Sequence, residues 1–294
     1  IRDRLRLPSQ ENRVRVEIFN GSSMGIRELW LDTEVPAPPE RGDLYLLAVG
    51  IDFFEGLPPD RHLEYASADA RTFASSFGGN ARSRFKKVHT KVLADGTDSL
   101  PTRANIIEAL RFLSPAKAED TVVLFLASHG ISDAAGNYLF VPRDAAGPDI
   151  YAALEGDRLE PPSLIAWHVF FDALRNSAGR RLLLVDTCQA QKIEGTLDFH
   201  SLAKRSAASA FALMAASKGD ELSQEYALGG HGLFTYGLLT GLEGRSDVDG
   251  DAAITLDELF GWTRRFVVEN RNPLVGEQTP QLLAPSILRS MTLR

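Results

Sequence analysis

Two short apolar runs, each stopping on a reactive side chain, constrain this chain more than any other feature of it. Arg181-Leu182-Leu183-Leu184-Val185 is a continuous apolar run after a charged start, and it ends on Asp186-Thr187-Cys188, where Cys188 is the only cysteine. Thr121-Val122-Val123-Leu124-Phe125-Leu126 has the same form and runs into Ala127-Ser128-His129-Gly130. Runs of this length without polar alternation read as strands buried on both faces. In a parallel sheet the carboxyl ends of neighbouring strands share one edge, where open α/β folds place their sites. A thiol and an imidazole are thereby expected on one rim.

Similar strands alternate with helix-patterned segments along the chain. Leu44 to Ile51 is a first buried strand, and Tyr65 to Phe77 carries apolar residues at helical spacing through Ala66, Ala70, Phe73 and Phe77. A strand is expected near Lys87–Leu93, and Thr102 after Pro101 suits the N-cap of a helix reaching Phe112. Residues 132–162 then read as irregular, 164–174 as a helix and Ala210 to Ala216 as a small buried strand. Gly232 to Leu242 and Leu256 to Val268 read as two late helices, and the apolar run Ile287 to Leu293 as an edge strand. The pattern predicts an α/β fold over 42–294, a doubly wound, mostly parallel sheet with helices on both faces. Residues 1–41 stand apart. Their β-type runs at 14–19 and 27–31 flank a turn-rich connector as a hairpin, and Val35-Pro36-Ala37-Pro38-Pro39 is a Pro-rich linker. This segment reads as an appendage or the tail of a missing upstream regulatory domain, in keeping with a chain that begins at Ile1.

A hydrophobic content of 44% over 294 residues fits a soluble globular protein with one large core or two small ones. The net charge of −7 and pI near 5.5 argue against nucleic-acid binding, and the basic run Arg82-Ser83-Arg84-Phe85-Lys86-Lys87 reads as a solvated face. No apolar segment is long enough to cross a bilayer, so no membrane partner is expected. One cysteine makes no internal disulfide, and a reducing compartment such as the cytoplasm keeps its thiol usable.

A thiol becomes a good nucleophile when a neighbouring imidazole helps ionise it from a free pKa of about 8.5. Cys188 and His129 can form that pair. The bland alternative is a core cysteine and a satisfied turn histidine. His231-Gly232 is a rival partner for the thiol, but it begins a helix rather than ending a strand. A single cysteine and no histidines paired at helical spacing disfavour metal catalysis, and no cofactor is required.

Strand-Ser128-His129-Gly130 followed by strand-Asp186-Thr187-Cys188 resembles the caspase-like cysteine peptidases. Ala68-Asp69-Ala70 in the first helix, Asp186 before Thr187-Cys188, and His231-Gly232-Leu233-Phe234-Thr235-Tyr236 resemble the metacaspase and prokaryotic orthocaspase branch in particular. The sequence departs from metacaspases at Gln189-Ala190-Gln191, where they carry His-Ser-Gly, and at Ser128, where they commonly carry Gly. The resemblance implies a caspase-like sheet and a cysteine endopeptidase acting on polypeptide substrate. Cys188 would be the nucleophile and His129 the general acid/base, with Gly130 and Cys188 N–H groups as the oxyanion hole. It also implies that Asp69 and Asp186 line the pocket for the side chain before the scissile bond, a pocket suited to Arg or Lys. Self-cleavage is expected in the exposed 189–208 loop after Lys192, Lys204 or Arg205. A catalytically silent scaffold and another thiol acyl hydrolase are the alternative functions.

Asp247, Asp249, Asp251 and Glu258 fall on the first, third, fifth and twelfth positions of a calcium-loop pattern between two helices. Ala252 stands where that pattern has Gly for a sharp turn. The two readings are a structural calcium site and an acidic solvated connector.

Overall fold

The computed structural model describes residues 11–19, 24–32, 42–81, 84–133, 137–156, 161–187, 211–217 and 221–294. The chain divides into two compact units, Ile1–Arg41 and Gly42–Arg294. In the first, β1 (Glu11–Phe19) and β2 (Met24–Asp32) pair antiparallel, from Glu11 opposite Asp32 to Phe19 opposite Met24. The Pro-rich stretch lies outside the described residues.

The second unit runs β3 (Leu44–Gly50), α1 (Ala66–Asn80), β4 (Val88–Ala94), α2 (Arg103–Leu110), β5 (Thr121–Ala127), β6 (Gly130–Ser132), β7 (Tyr138–Phe140), α3 (Gly147–Glu155), β8 (Ile165–Ala166), α4 (Trp167–Arg175) and β9 (Arg180–Asp186). It continues with β10 (Phe211–Ala215), β11 (Glu225–Tyr226), β12 (His231–Gly232), α5 (Leu233–Thr240), α6 (Leu256–Asn270), β13 (Gln281–Leu283) and α7 (Ser286–Arg289). Six strands form one sheet in the order β13-β10-β9-β5-β3-β4. Neighbours are parallel except β13, which pairs antiparallel with β10. No helix among the described residues is long and apolar enough to cross a membrane.

Side-chain alternation along these strands divides the core in two. Leu47, Val49, Leu124, Leu126, Leu183 and Val185 face a cluster containing Ile106, Leu110, Phe170 and Leu174 from α2 and α4. Leu46, Ala48, Val123, Phe125, Leu182 and Leu184 face Phe73 and Phe77 of α1, Phe234 and Leu238 of α5, and Leu259 of α6. Continuous apolar runs are required because both faces are dry, as the sequence pattern implied. Gly50 ends β3 where a Cβ would lie 2.1 Å from Ala66 O and 2.7 Å from Ala70 Cβ, so its bare backbone lets the start of α1 close over the strand end. Thr102 Oγ1 accepts from Asn105 N at 3.3 Å and caps α2.

Two expectations are corrected. The segment read as irregular contains β7 and α3, which the turn-forming residues Gly147 and Pro148 at the helix start disguise. The edge strand is Gln281–Leu283 rather than Ile287–Leu293: Pro285 N-caps the short α7, and beyond it only Thr292 makes a bridge, to Thr255.

Candidate active site

β5 and β9 are adjacent and in register, with Ala127 opposite Asp186. The residues that follow therefore leave the sheet side by side, and Ser128 N donates to Asp186 O at 3.4 Å. Ser128 Oγ donates to Val141 O at 2.8 Å, and the Tyr138 and Thr187 hydroxyls share a hydrogen bond of 2.6 Å, so β7 and the residue after it brace both strand ends. Cys188 lies outside the described residues; it follows Thr187 in the chain.

His129 is held from two sides. Its Nε2 lies 2.6 Å from Arg61 O, and its ring sits 4.7 Å, centroid to centroid, from that of Phe54. A carbonyl can only accept, so neutral His129 carries its proton on Nε2 and presents Nδ1 as the acceptor. Burial pushes the His129 pKa below its ordinary value, against the pull of the Arg61 carbonyl, and the Arg61 and His62 charges add to the lowering. At neutral pH the ring is therefore a base. His129 O accepts from Val141 N at 3.1 Å, which makes Gly130 opposite Phe140 the next, non-hydrogen-bonded pair of the antiparallel ladder. The Gly130 N–H thus points away from β7.

The two acids lie on the α1 side of the sheet. Asp69, in the first turn of α1 and 2% exposed, faces His231 Nδ1 at 2.6 Å from Oδ1, and its Oδ2 accepts from Gly232 N at 3.0 Å. Asp186 is also buried; Ser223 Oγ donates to Oδ1 and Thr235 Oγ1 to Oδ2, the latter at 2.7 Å. The acids converge on one point: a Cβ on Gly232 would lie 2.8 Å from Asp186 Oδ2 and 2.9 Å from Asp69 Oδ2. Burial, aided by the Asp186 charge, raises the Asp69 pKa to about 7 against the lowering effect of His231 and Gly232. Burial likewise raises that of Asp186 against the donors Ser223 and Thr235.

Asp69, Asp186, His129, Thr187 and Gly232 line one cleft together with Ser223, Gln224 and Glu225. The sequence signalled Asp69, Asp186 and His129. It did not signal Ser223 or Glu225, which lie in no periodic or motif-bearing stretch. Glu225 Oε1 accepts from Glu64 N at 2.6 Å and Tyr65 N at 3.2 Å, so it fixes the approach to α1. His231 is engaged with Asp69 and is absent from the cleft lining. Lys192, Lys204 and Arg205 lie outside the described residues.

No residue of the acidic loop lines this cleft. Ligand oxygens of Asp247, Asp249 and Glu258 come within 4.8 Å of one another, but Asp251 is not of that group and accepts from Ala253 N at 2.9 Å. Ala252 has φ 63°, the left-handed turn that the loop pattern demands, and Asp247 Oδ2 accepts its N–H at 3.0 Å. Glu258 Oε2 accepts from Thr255 N and Thr255 Oγ1, and Thr255 Oγ1 accepts from Glu258 N, which completes a capping box for α6. Three of the four expected acids thus fit a hard cation, and one of those three already serves as a helix cap.

The family model for the caspase domain matches residues 45–292. A crystal structure of a protein from Geobacter sulfurreducens superposes with a TM-score of 0.52 at 16% identity, covering 85% of this chain and 97% of that one. Caspase-1 from Spodoptera frugiperda gives a TM-score of 0.52 at 10% identity, over 83% of this chain and 86% of that one. At these identities the likeness is one of fold. No curated protein matches the chain in sequence.

Proposed function

This chain belongs to the caspase domain family, and from that premise we propose that it is a cysteine endopeptidase that cleaves after Arg or Lys. The observation that carries the reading is the convergence of two buried carboxylates, Asp69 and Asp186, in the cleft that His129 also lines. Two acids in a partly desolvated pocket repel one another, and a guanidinium or ammonium relieves that repulsion where an aspartate would add to it.

In this reading the Cys188 thiol gives its proton to His129 Nδ1. The thiolate attacks the scissile carbonyl carbon, a C–S bond forms, and the carbonyl π electrons move onto oxygen. The N–H groups of Gly130 and Cys188 hold that oxyanion. As it collapses, the C–N bond breaks and the His129 imidazolium protonates the leaving amine. Water then attacks the thioester, gives its proton to His129 and releases the acid and the thiol. The Arg61 carbonyl fixes the ring so that Nδ1 does this work. Self-processing after Lys192, Lys204 or Arg205 belongs to the same reading, since those residues supply basic side chains in the chain's own sequence.

Paired reporter peptides ending in Arg and in Asp test the specificity. Cleavage of the Arg reporter alone is expected, and equal cleavage of both rejects the acidic pocket. Mass spectrometry of the wild-type and Cys188→Ala chains tests self-processing: fragments ending at one of the three basic residues are expected only from the wild type, and two identical intact chains reject it.

A further inference from the structure

Both oxygens of Asp69 are held from one dipeptide. His231 Nδ1 faces Oδ1 at 2.6 Å, and Gly232 N–H donates to Oδ2 at 3.0 Å. The two side chains are 15% and 3% exposed, so the bond is shielded from water, and β12 carries it across from α1, which is distant in sequence. Gly232 contributes its backbone donor and leaves the space between the two acids open, while His231 stands behind Asp69, outside the cleft lining.

We propose that His231 is a positioning residue for the acidic pocket, its Nδ1 donor holding the Asp69 carboxylate ionised and oriented toward the basic side chain of the substrate. The proposal rests on the peptidase reading above. Asp69 needs such a partner because it lies beside a second buried acid. Burial and the Asp186 charge favour its neutral form, and the donors His231 and Gly232 favour the charged one. The balance falls at about 7, so near neutral pH a proton and a substrate guanidinium compete for the same carboxylate.

The other titratable groups around the pair have different engagements. Glu225 on β11 caps the backbone before α1. Asp52 and Asp95 bind Ser67 on α1. The ring of Tyr236 on α5 lies 6.4 Å from that of His231, and that of Tyr226 on β11 lies against Tyr236. Of the side chains that act on Asp69, Asp186 raises its pKa and His231 lowers it. Removal of the Nδ1 donor should therefore move Asp69 ionisation to higher pH.

The test measures kcat and KM of the purified chain on two reporters that differ only in ending with Arg or with its neutral isostere citrulline, from about pH 6 to about pH 9. The ratio of the two kcat/KM values cancels the titrations of Cys188 and His129, which both reporters share. Asn and Gln replace His231, because the Asn amide reaches where Nδ1 sits and the Gln amide where Nε2 sits. In the wild type the ratio should rise through about pH 7, following Asp69. In His231→Asn that curve should be retained. In His231→Gln it should move up by about one unit, so that the ratio at neutral pH falls roughly fivefold, carried by KM rather than kcat. Coincident wild-type and His231→Gln curves, or Asn and Gln variants equally displaced, overturn the proposal while leaving the peptidase reading in place. Wild-type protein that cleaves neither reporter, or both alike, overturns the reading and the proposal together.

Discussion

The hydroxyls of Tyr138 and Thr187 meet at 2.6 Å, both side chains 1% exposed, and the bond ties β7 to the last described residue before Cys188. Tyr138→Phe leaves the Thr187 hydroxyl without its buried partner. A loss of about 1–3 kcal/mol in unfolding free energy is expected. If this brace sets the position of the nucleophile, kcat should fall more than KM changes. Denaturant unfolding and steady-state kinetics on one preparation measure both, and unchanged stability would remove the brace.

Asp69 carries a stability signature as well. Its folded pKa of about 7 lies above the ordinary value of 3.8, so the folded state holds a proton over that window that the unfolded state has lost. Stability therefore falls as pH rises between those values, and the part due to Asp69 levels off above about 7. Asp186 is shifted in the same direction and adds a fall of the same sign. Thermal unfolding should show a falling midpoint from about pH 5 to about pH 8, and Asp69→Asn should make the fall shallower while removing the preference for Arg. A slope unchanged by Asp69→Asn would contradict the buried, raised carboxyl.

Much of this arrangement was legible in the sequence. Leu182 to Val185 and Val122 to Leu126 have no polar alternation because both faces of β9 and β5 are covered, so the runs themselves announced central strands and hence the rim. Asp69 and Asp186 could be matched to a pattern. The use of His231 could not: its partner is brought in by α1 packing on the sheet, and at a helix start the imidazole looked like a competitor for the thiol. The three-residue β7 is too short to show a period, and in the run 287–293 Leu288, Met291 and Leu293 are buried by a helical turn and one bridge rather than by sheet pairing, while Ile287 is exposed.

Gly232 should tolerate no side chain. A methyl there would sit within 3 Å of both Asp69 Oδ2 and Asp186 Oδ2. Gly232→Ala is expected to lose the Arg reporter through a large rise in KM. Retention of wild-type KM with an unchanged fold would place the basic side chain elsewhere in the cleft.

The Thr255–Glu258 capping box predicts that Glu258 stabilises α6 with no metal present. Thr255→Ala should cost about 1 kcal/mol in chelator-treated protein, and Glu258→Ala should also destabilise it. Melting curves with chelator and with added calcium make the comparison. A Glu258→Ala defect seen only with calcium would make that carboxylate a metal ligand and not a cap.

The central claim is that Cys188 and His129 cleave peptide bonds beside a pocket built by Asp69 and Asp186. The most direct measurement is kcat/KM on the paired Arg- and Asp-ending reporters for the wild-type, Cys188→Ala and His129→Ala chains. Turnover of the Arg reporter by the wild type alone, with both variants silent and folded, is the predicted result. Turnover that survives Cys188→Ala, or a wild type that leaves the Arg reporter intact, would contradict it.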